Sequence, residues 1–258
     1  MSEIHQDLCA LRELNVPRMA NDQAVKEATQ NFLRLTEPYQ YAYNFDWLGR
    51  PIIQFPQDIV ALQELIWKQK PDIILETGIA HGGSLVLSAS MLALLDLSES
   101  LIAGFQYQKR RSVIGIDIDI RSHNRSAIEM HPLSRYISLF EGSSIDQAVI
   151  DQIYSVIPNG SNVLVCLDSN HTHEHVLGEL KAYSDLILPG GHIVVWDTSI
   201  EFDNSSLWTG RRPWGPGNSP YSAINEFLSI NPEFKRIDGI DEKLLITVAP
   251  GGFLTRVQ

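Results

Sequence analysis

Three short stretches put acids and a histidine where they could do chemistry. Glu76-Thr-Gly-Ile-Ala-His-Gly-Gly-Ser84 sets a carboxylate just before glycines at 78, 82 and 83. Asp168-Ser-Asn-His171 pairs a carboxylate with an imidazole, and Trp196-Asp197 adds a further acid. Two carboxylates brought side by side suit a hard divalent cation such as Mg²⁺, which keeps several waters and leaves room for a hydroxyl. The cation would lower the pKa of that hydroxyl, and an imidazole beside it could take the proton. Asp168 and Asp197 are therefore candidate metal ligands and His171 the candidate base. Each also has a plainer reading: Asp168 as a helix cap, Asp197 as a loop acid, His171 as a helix-start residue. His173 and His175 follow at two-residue spacing, which brings His171 and His175 near one helix face. Zinc ranks below Mg²⁺ because no thiolate accompanies them.

Such residues need elements that bring them together. Ile73–Leu75, Ser112–Ile116, Tyr136–Phe140, Val163–Leu167 and His192–Val195 are short apolar runs that read as buried strands. Helical segments alternate with them, at Pro56–Lys68, Ser84–Leu95, Arg121–His131, Ile145–Tyr154, Thr172–Leu188 and Ser222–Leu228. That rhythm predicts a parallel sheet with helices on both faces. Its carboxyl edge then collects Glu76, Asp117, Asp168, His171 and Asp197, and ligands bind at that edge in open α/β sheets. Leu244–Val248 and Phe253–Val257, around the turn Pro250-Gly-Gly252, predict a closing antiparallel hairpin and a seven-stranded sheet.

The turn after the first of these strands is neither a Walker loop nor Gly-x-Gly-x-x-Gly, since its pattern is Gly78-x-x-x-Gly82-Gly83. Glycines let a ligand approach the backbone, and a following helix start offers unpaired N–H groups. An acid, these glycines and Ser84 look like the S-adenosylmethionine site of class I methyltransferases; a turn serving only strand–helix packing is the alternative. Asp117, ending the next strand, is placed to bond ribose hydroxyls. Ser143 and Ser144 are candidate contacts near the adenine or caps of the next helix. With Asp168 they complete the candidate cofactor set of Glu76, Gly78, Gly82, Gly83, Ser84 and Asp117.

The rest of the chain bounds the answer. It has 258 residues, 44% hydrophobic and 20% charged, and a formal net charge of −11. The acidic balance disfavours nucleic acid as a partner. The one basic cluster, Lys109-Arg110-Arg111, reads as a helix-end or solvated loop feature. Cys9 and Cys166 are far apart, and Cys166 sits in an apolar strand, as expected of a buried thiol in a reducing cytoplasm. No segment reads as a membrane span. Residues 1–40 read as a helical arm with an amphipathic helix over Gln23–Leu35, packed on the main domain or a second subunit, so that a homo-oligomer is expected. Residues 41–258 read as a single domain. The aromatic-dense stretch from Tyr39 to Pro56 is either a lid over the core or part of a pocket. A lid-like insertion spans about 201–220, and its Trp208, Arg211, Arg212 and Trp214 suit stacking on a sugar or flat ring and bonding its oxygens.

Taken together, the sequence resembles the cephalosporin hydroxylase / rhamnosyl O-methyltransferase family. The resemblance rests on Tyr43-Asn-Phe-Asp-Trp-Leu-Gly-Arg-Pro-Ile52, Gln54-Phe-Pro-Gln-Asp58, Glu76 to Ser84, Gly115-Ile-Asp-Ile-Asp119, Leu167-Asp-Ser-Asn-His171 and Arg212-Pro-Trp-Gly-Pro-Gly-Asn218, over about residues 40–250. It implies a Rossmann-like class I methyltransferase fold, S-adenosylmethionine, and Mg²⁺-assisted O-methyl transfer to a small-molecule or glycan acceptor, with Asp168 as metal ligand and His171 as base. Relatives often carry Glu-Asp where this chain has Trp196-Asp197, so one expected carboxylate is missing; Glu201 and Asp203 are nearby acids that could substitute. Two other readings stand beside this one. A nicotinamide-dependent oxidoreductase would need the absent Gly-x-Gly-x-x-Gly, and a non-catalytic cofactor-binding subunit would need a partner enzyme.

Overall fold

The computed structural model describes residues 3–202 and 212–258. Two helices lead the chain, α1 (Glu3–Asn21) and α2 (Gln23–Thr36). Asp22 separates them and caps α2, its carboxylate accepting from the N–H groups of Ala24 and Val25. α1 lies against the helix Ile240–Leu244, while α2 buries none of its side chains. A small hairpin follows, β1 (Phe45–Trp47) and β2 (Arg50–Ile52). Its turn residues Leu48 and Gly49 both take positive φ, 47° and 85°, as a two-residue turn between right-twisted strands requires.

After α3 (Pro56–Gln69) the chain alternates β3 (Ile73–Thr77), α4 (Gly83–Ala103), β4 (Ser112–Asp117), α5 (Ser122–Glu129), β5 (Ile137–Glu141), α6 (Gln147–Val156), β6 (Val163–Leu167), α7 (His173–Tyr183) and β7 (His192–Val195). It ends with α8 (Pro220–Ile230), β8 (Phe234–Arg236), α9 (Ile240–Leu244) and β9 (Phe253–Arg256). The seven-stranded sheet has the order β5-β4-β3-β6-β7-β9-β8. The five strands from β5 to β7 are parallel, and β9 is antiparallel to both β7 and β8. All five residues of β3 and of β6 are buried, because helices cover both faces. Successive residues serve opposite cores: Ile74, Leu164 and Val194 pack with Leu62, Leu85 and Leu92 of α3 and α4. Ile73, Leu75, Val165 and Ile193 pack with Ile153, Leu180 and Phe227 of α6, α7 and α8.

The expected fold is present, with four local differences. The strand expected at Leu244–Val248 is absent: α9 occupies 240–244, and Leu245 takes φ 61°, which an extended strand cannot hold. The hairpin partner of β9 is instead Phe234–Arg236, whose register pairs Lys235 with Thr255. α7 ends at Tyr183 rather than running to Leu188, and Ser184–Leu186 tightens into a 3₁₀ turn. Within the basic triplet, Arg111 is buried, with its guanidinium 2.6 Å from Asp96 and 2.7 Å from Glu99. α4 also has the length and hydropathy of a membrane span, contrary to the sequence expectation, yet more than half of it is buried in the sheet's flank.

Candidate active site

β3 stands at the point where the strand order reverses: β4 and β5 lie on one side of it, β6 and β7 on the other. Loops leaving the carboxyl ends of such neighbours diverge, which opens a crevice. Here it is a cavity of about 630 Å³, walled by Gly78–His81, Gly83 and Ser84 after β3, Asp117 after β4, Gly142–Ser144 after β5, Asp168–His171 after β6 and Asp197 after β7. Tyr43 and the stretch Pro51–Gln54 close it from the hairpin side, and Trp214 from the insertion.

The glycine turn is built tightly. Gly78 takes φ 78°, and a Cβ there would stand 2.0 Å from the Asp168 carbonyl oxygen. A Cβ on Gly83 would stand 2.2 Å from the Pro51 carbonyl oxygen. Ala80 holds φ 41°; its carbonyl accepts from Asn124 Nδ2 at 2.9 Å, and the next, on His81, accepts from Arg50 Nε at 3.0 Å. These bonds hold a backbone shape that a free loop would leave. α4 begins at Gly83 with no side-chain cap, so its first N–H groups stay available to a ligand.

Of the cofactor candidates, Gly78, Gly83, Ser84, Asp117, Ser143, Ser144 and Asp168 line the cavity. Glu76 lies behind its wall, 2% exposed, and accepts a bond from the Ser84 hydroxyl. Burial pushes its carboxyl up to about 7. Gly82 faces the Ile128 side chain. Asp117 accepts from the Ile79 N–H at 2.9 Å and the Asp119 N–H at 3.1 Å. A carboxylate has lone pairs beyond those two bonds. Ser144 donates at 2.5 Å to Glu179, which also accepts from Ser169 at 2.6 Å.

Asp168, His171 and Asp197 converge, with one ligand atom of each lying within 4.8 Å of the others. His171 Nε2 is 3.2 Å from Asp197 Oδ2. Burial, together with the charges of Asp197, Glu76 and Glu179, pushes the Asp168 carboxyl well above its ordinary value. Acids crowded in this way invite a cation, and two carboxylates with an adjoining imidazole fit a divalent one. The position before Asp197 contributes nothing to it: Trp196 is 4% exposed and packs edge-on against Phe253.

The histidine cluster disperses. His173 bonds Ser222 and Glu226 on α8, and His175 faces Ser144 and Glu179, so only His171 joins the acids. Glu201 is not with them either; its Oε2 accepts from the Gly217 N–H at 3.0 Å and the Ser219 hydroxyl at 2.5 Å. That latch holds the turn behind Trp214, whose ring meets the His171 ring edge-on at 4.9 Å. The Arg212 guanidinium sits 5.2 Å from the same indole. Trp208, Arg211 and Asp203 lie outside the described residues. Tyr43 and Gln54, the first residues of two stretches that carry the resemblance, line the cavity, which is the pocket alternative for the aromatic-dense stretch from Tyr39 to Pro56. Burial and the nearby Asp197 raise the Tyr43 phenol.

Known proteins resemble this chain in sequence and in fold. The Rhamnosyl O-methyltransferase of Mycobacterium bovis BCG is 28% identical over 204 residues, 77% of this chain and 73% of the relative. That of Mycobacterium leprae is 25% identical over 216 residues, 81% and 82% of the two chains. A solved structure of CmcI with Mg and S-adenosylmethionine superposes with a TM-score of 0.53 at 18% identity, covering 84% of this chain and 78% of CmcI. Residues 39–257 match the family described as Rhamnosyl O-methyltransferase/CmcI, and the chain belongs to that family.

Proposed function

We propose that the protein transfers a methyl group from S-adenosylmethionine to a hydroxyl of a sugar, glycoconjugate or natural product, assisted by a divalent cation, with Mg²⁺ the first choice. The observation that carries this is the meeting of Asp168, His171 and Asp197 in the same cavity as the uncapped glycine turn. The backbone of Gly78, Gly83 and Ser84 approaches the cofactor, with Glu76 and Gly82 shaping the turn from behind. Asp117 accepts from the ribose hydroxyls, and Ser143 and Ser144 border the adenine.

Asp168 and Asp197 hold the cation, which would lower the acceptor hydroxyl's pKa. The cofactor would supply a methyl group on a sulfonium, so the chain's task is to keep the acceptor oxygen in line with it. His171 takes the hydroxyl proton, and the Asp197 carboxylate, 3.2 Å from its Nε2, stabilises the imidazolium by charge. Trp214 and Arg212 offer a ring and a cation at the rim for a sugar face and its oxygens, with Trp208 and Arg211 assigned to the same loop. The mycobacterial relatives, named for rhamnosyl methylation, make a deoxysugar the first acceptor to try. The free thiols of Cys9 and Cys166 suit a reducing cytoplasm. Residues 1–40 act as an arm on a single methyltransferase domain, and the unburied apolar face of α2 suits a homo-oligomer.

The test is calorimetric titration of metal-stripped protein with S-adenosylmethionine, without and with Mg²⁺, followed by methyl transfer to a panel of rhamnosides. Saturation at about one cofactor per chain, and transfer that EDTA stops, are expected. A folded protein that binds no S-adenosylmethionine in either condition would overturn the reading.

A further inference from the structure

Glu179, midway along α7, is fully buried. Its Oε1 accepts from the Ser144 hydroxyl at 2.5 Å and the Ser169 hydroxyl at 2.6 Å, and His175 Nε2 lies 3.5 Å away. Its Oε2 has no hydrogen-bond partner. Among the described residues, no lysine or arginine pairs with it. Two hydroxyls are poor compensation for a carboxylate taken out of water, and an amide or an apolar side chain would pack there at less cost. An acid at this place therefore calls for a use beyond packing.

The two serines show where its influence goes. Ser144 belongs to the turn after β5, and Ser169 directly follows Asp168. Asp168 is already held on its other side, since its N–H donates to the Thr77 carbonyl at 2.9 Å and its own carbonyl leaves no room for a Cβ on Gly78. The bond from Ser169 to Glu179 fixes the next residue as well. The charge of Glu179 also reaches the Asp168 carboxyl and helps to raise it. The same charge attracts a divalent cation twice as strongly as it attracts a proton at that place, so it favours exchanging one for the other. The site itself holds two carboxylates, with the buried Trp196 where a third acid was expected.

We propose that Glu179 is the positioning residue of the cation site: through Ser169 it fixes the turn that carries Asp168, and from behind the cavity wall its buried charge replaces that of the carboxylate missing beside Asp197. The inference rests on the cation reading above. Glu179 does not touch the cation; it acts through Asp168.

Calorimetric titration of metal-stripped protein with MgCl₂, and again with MnCl₂, at pH 8 tests this on two variants. Glu179→Gln keeps an oxygen for both serine hydroxyls and removes the charge. Ser169→Ala keeps the charge and removes the tie. Each is expected to bind both cations about ten-fold more weakly than wild type, the usual effect of losing a group that orients a metal ligand. Metal-free affinity for S-adenosylmethionine should stay within about two-fold of wild type, and the urea midpoint should not fall, which separates positioning from a purely structural role. Wild-type cation affinity in either variant would overturn the proposal. So would a loss of cofactor affinity and urea stability as large as the loss of cation affinity. A wild-type protein that binds S-adenosylmethionine but neither cation would instead remove the cation reading itself.

Discussion

His171 and Asp197 are 3.2 Å apart, close enough for the carboxylate to stabilise the imidazolium that forms when a hydroxyl proton is taken up. Replacing His171 with Ala should slow methyl transfer by about 10²–10⁴-fold, the usual worth of a positioned general base. It should leave S-adenosylmethionine affinity within about two-fold, because the glycine turn and Asp117 are untouched. Single-turnover kinetics beside calorimetry separates the two, and full activity in the variant would end the base assignment. Gly78 works through space rather than chemistry. With the Asp168 carbonyl 2.0 Å from where a Cβ would be, and φ at 78°, Gly78→Ala has to move backbone against backbone. A stability loss on the order of 2–4 kcal/mol is expected by chemical denaturation.

The insertion after β7 shows how a loop can be made part of a site. Glu201 holds Gly217 and Ser219, and Asn218 accepts from the His173 N–H at 2.9 Å while donating to the Pro213 carbonyl at 2.7 Å. The turn that carries Trp214 is therefore tied to α7 and α8 rather than left free. Glu201→Ala should release it and raise the KM for the acceptor several-fold, while S-adenosylmethionine affinity stays at the wild-type value. A variant with unchanged acceptor KM would show that Trp214 does not meet the acceptor. β1 and β2 work similarly from the other side: Arg50 bonds the His81 carbonyl, so the hairpin stiffens the glycine turn against which it packs.

One buried acid joins distant parts of the chain. Asp58 on α3 is 0% exposed and accepts from the Thr247 hydroxyl at 2.5 Å and the Val248 N–H at 2.9 Å. Burial pushes its carboxyl from 3.8 up to about 7, against the lowering effect of those two bonds. The folded protein therefore holds this proton more tightly than the unfolded chain does. Its contribution to stability is complete below about pH 4 and is lost as pH rises to about 7. The loss is on the order of 4 kcal/mol, at about 1.4 kcal/mol per pKa unit. Asp58→Asn should flatten that part of the profile, read as the difference between variant and wild type in urea melts at pH 5 and pH 7.5. Parallel pH profiles for the two proteins would refute it.

Much of this was legible in the sequence because apolar runs and glycines act locally. Four of the five parallel strands announced themselves as buried apolar runs, whereas β5, at the sheet edge, keeps no fully buried residue; Gly78 to Ser84 announced a turn that had to let a ligand or a backbone come close. From these followed the carboxyl edge that gathers Asp117, Asp168, His171 and Asp197. β8 stayed hidden because Phe234-Lys235-Arg236 is short and carries two charged residues in three, and its strand character comes from pairing with β9. The histidines were indistinguishable on paper, and only packing sent His173 to α8 and His175 to Glu179. Glu201 was legible only as a spare acid, and its latch on Gly217 and Ser219 was not, since the role of a lone polar side chain depends on neighbours that only folding brings to it. The sequence by itself determined the alternation of elements and the acids at their ends, through local periodicity and turn chemistry. Which of those groups meet, which are spent on holding loops and which remain unpaired in the cavity was decided by tertiary structure, because each depends on distances between residues that the chain brings together only on folding.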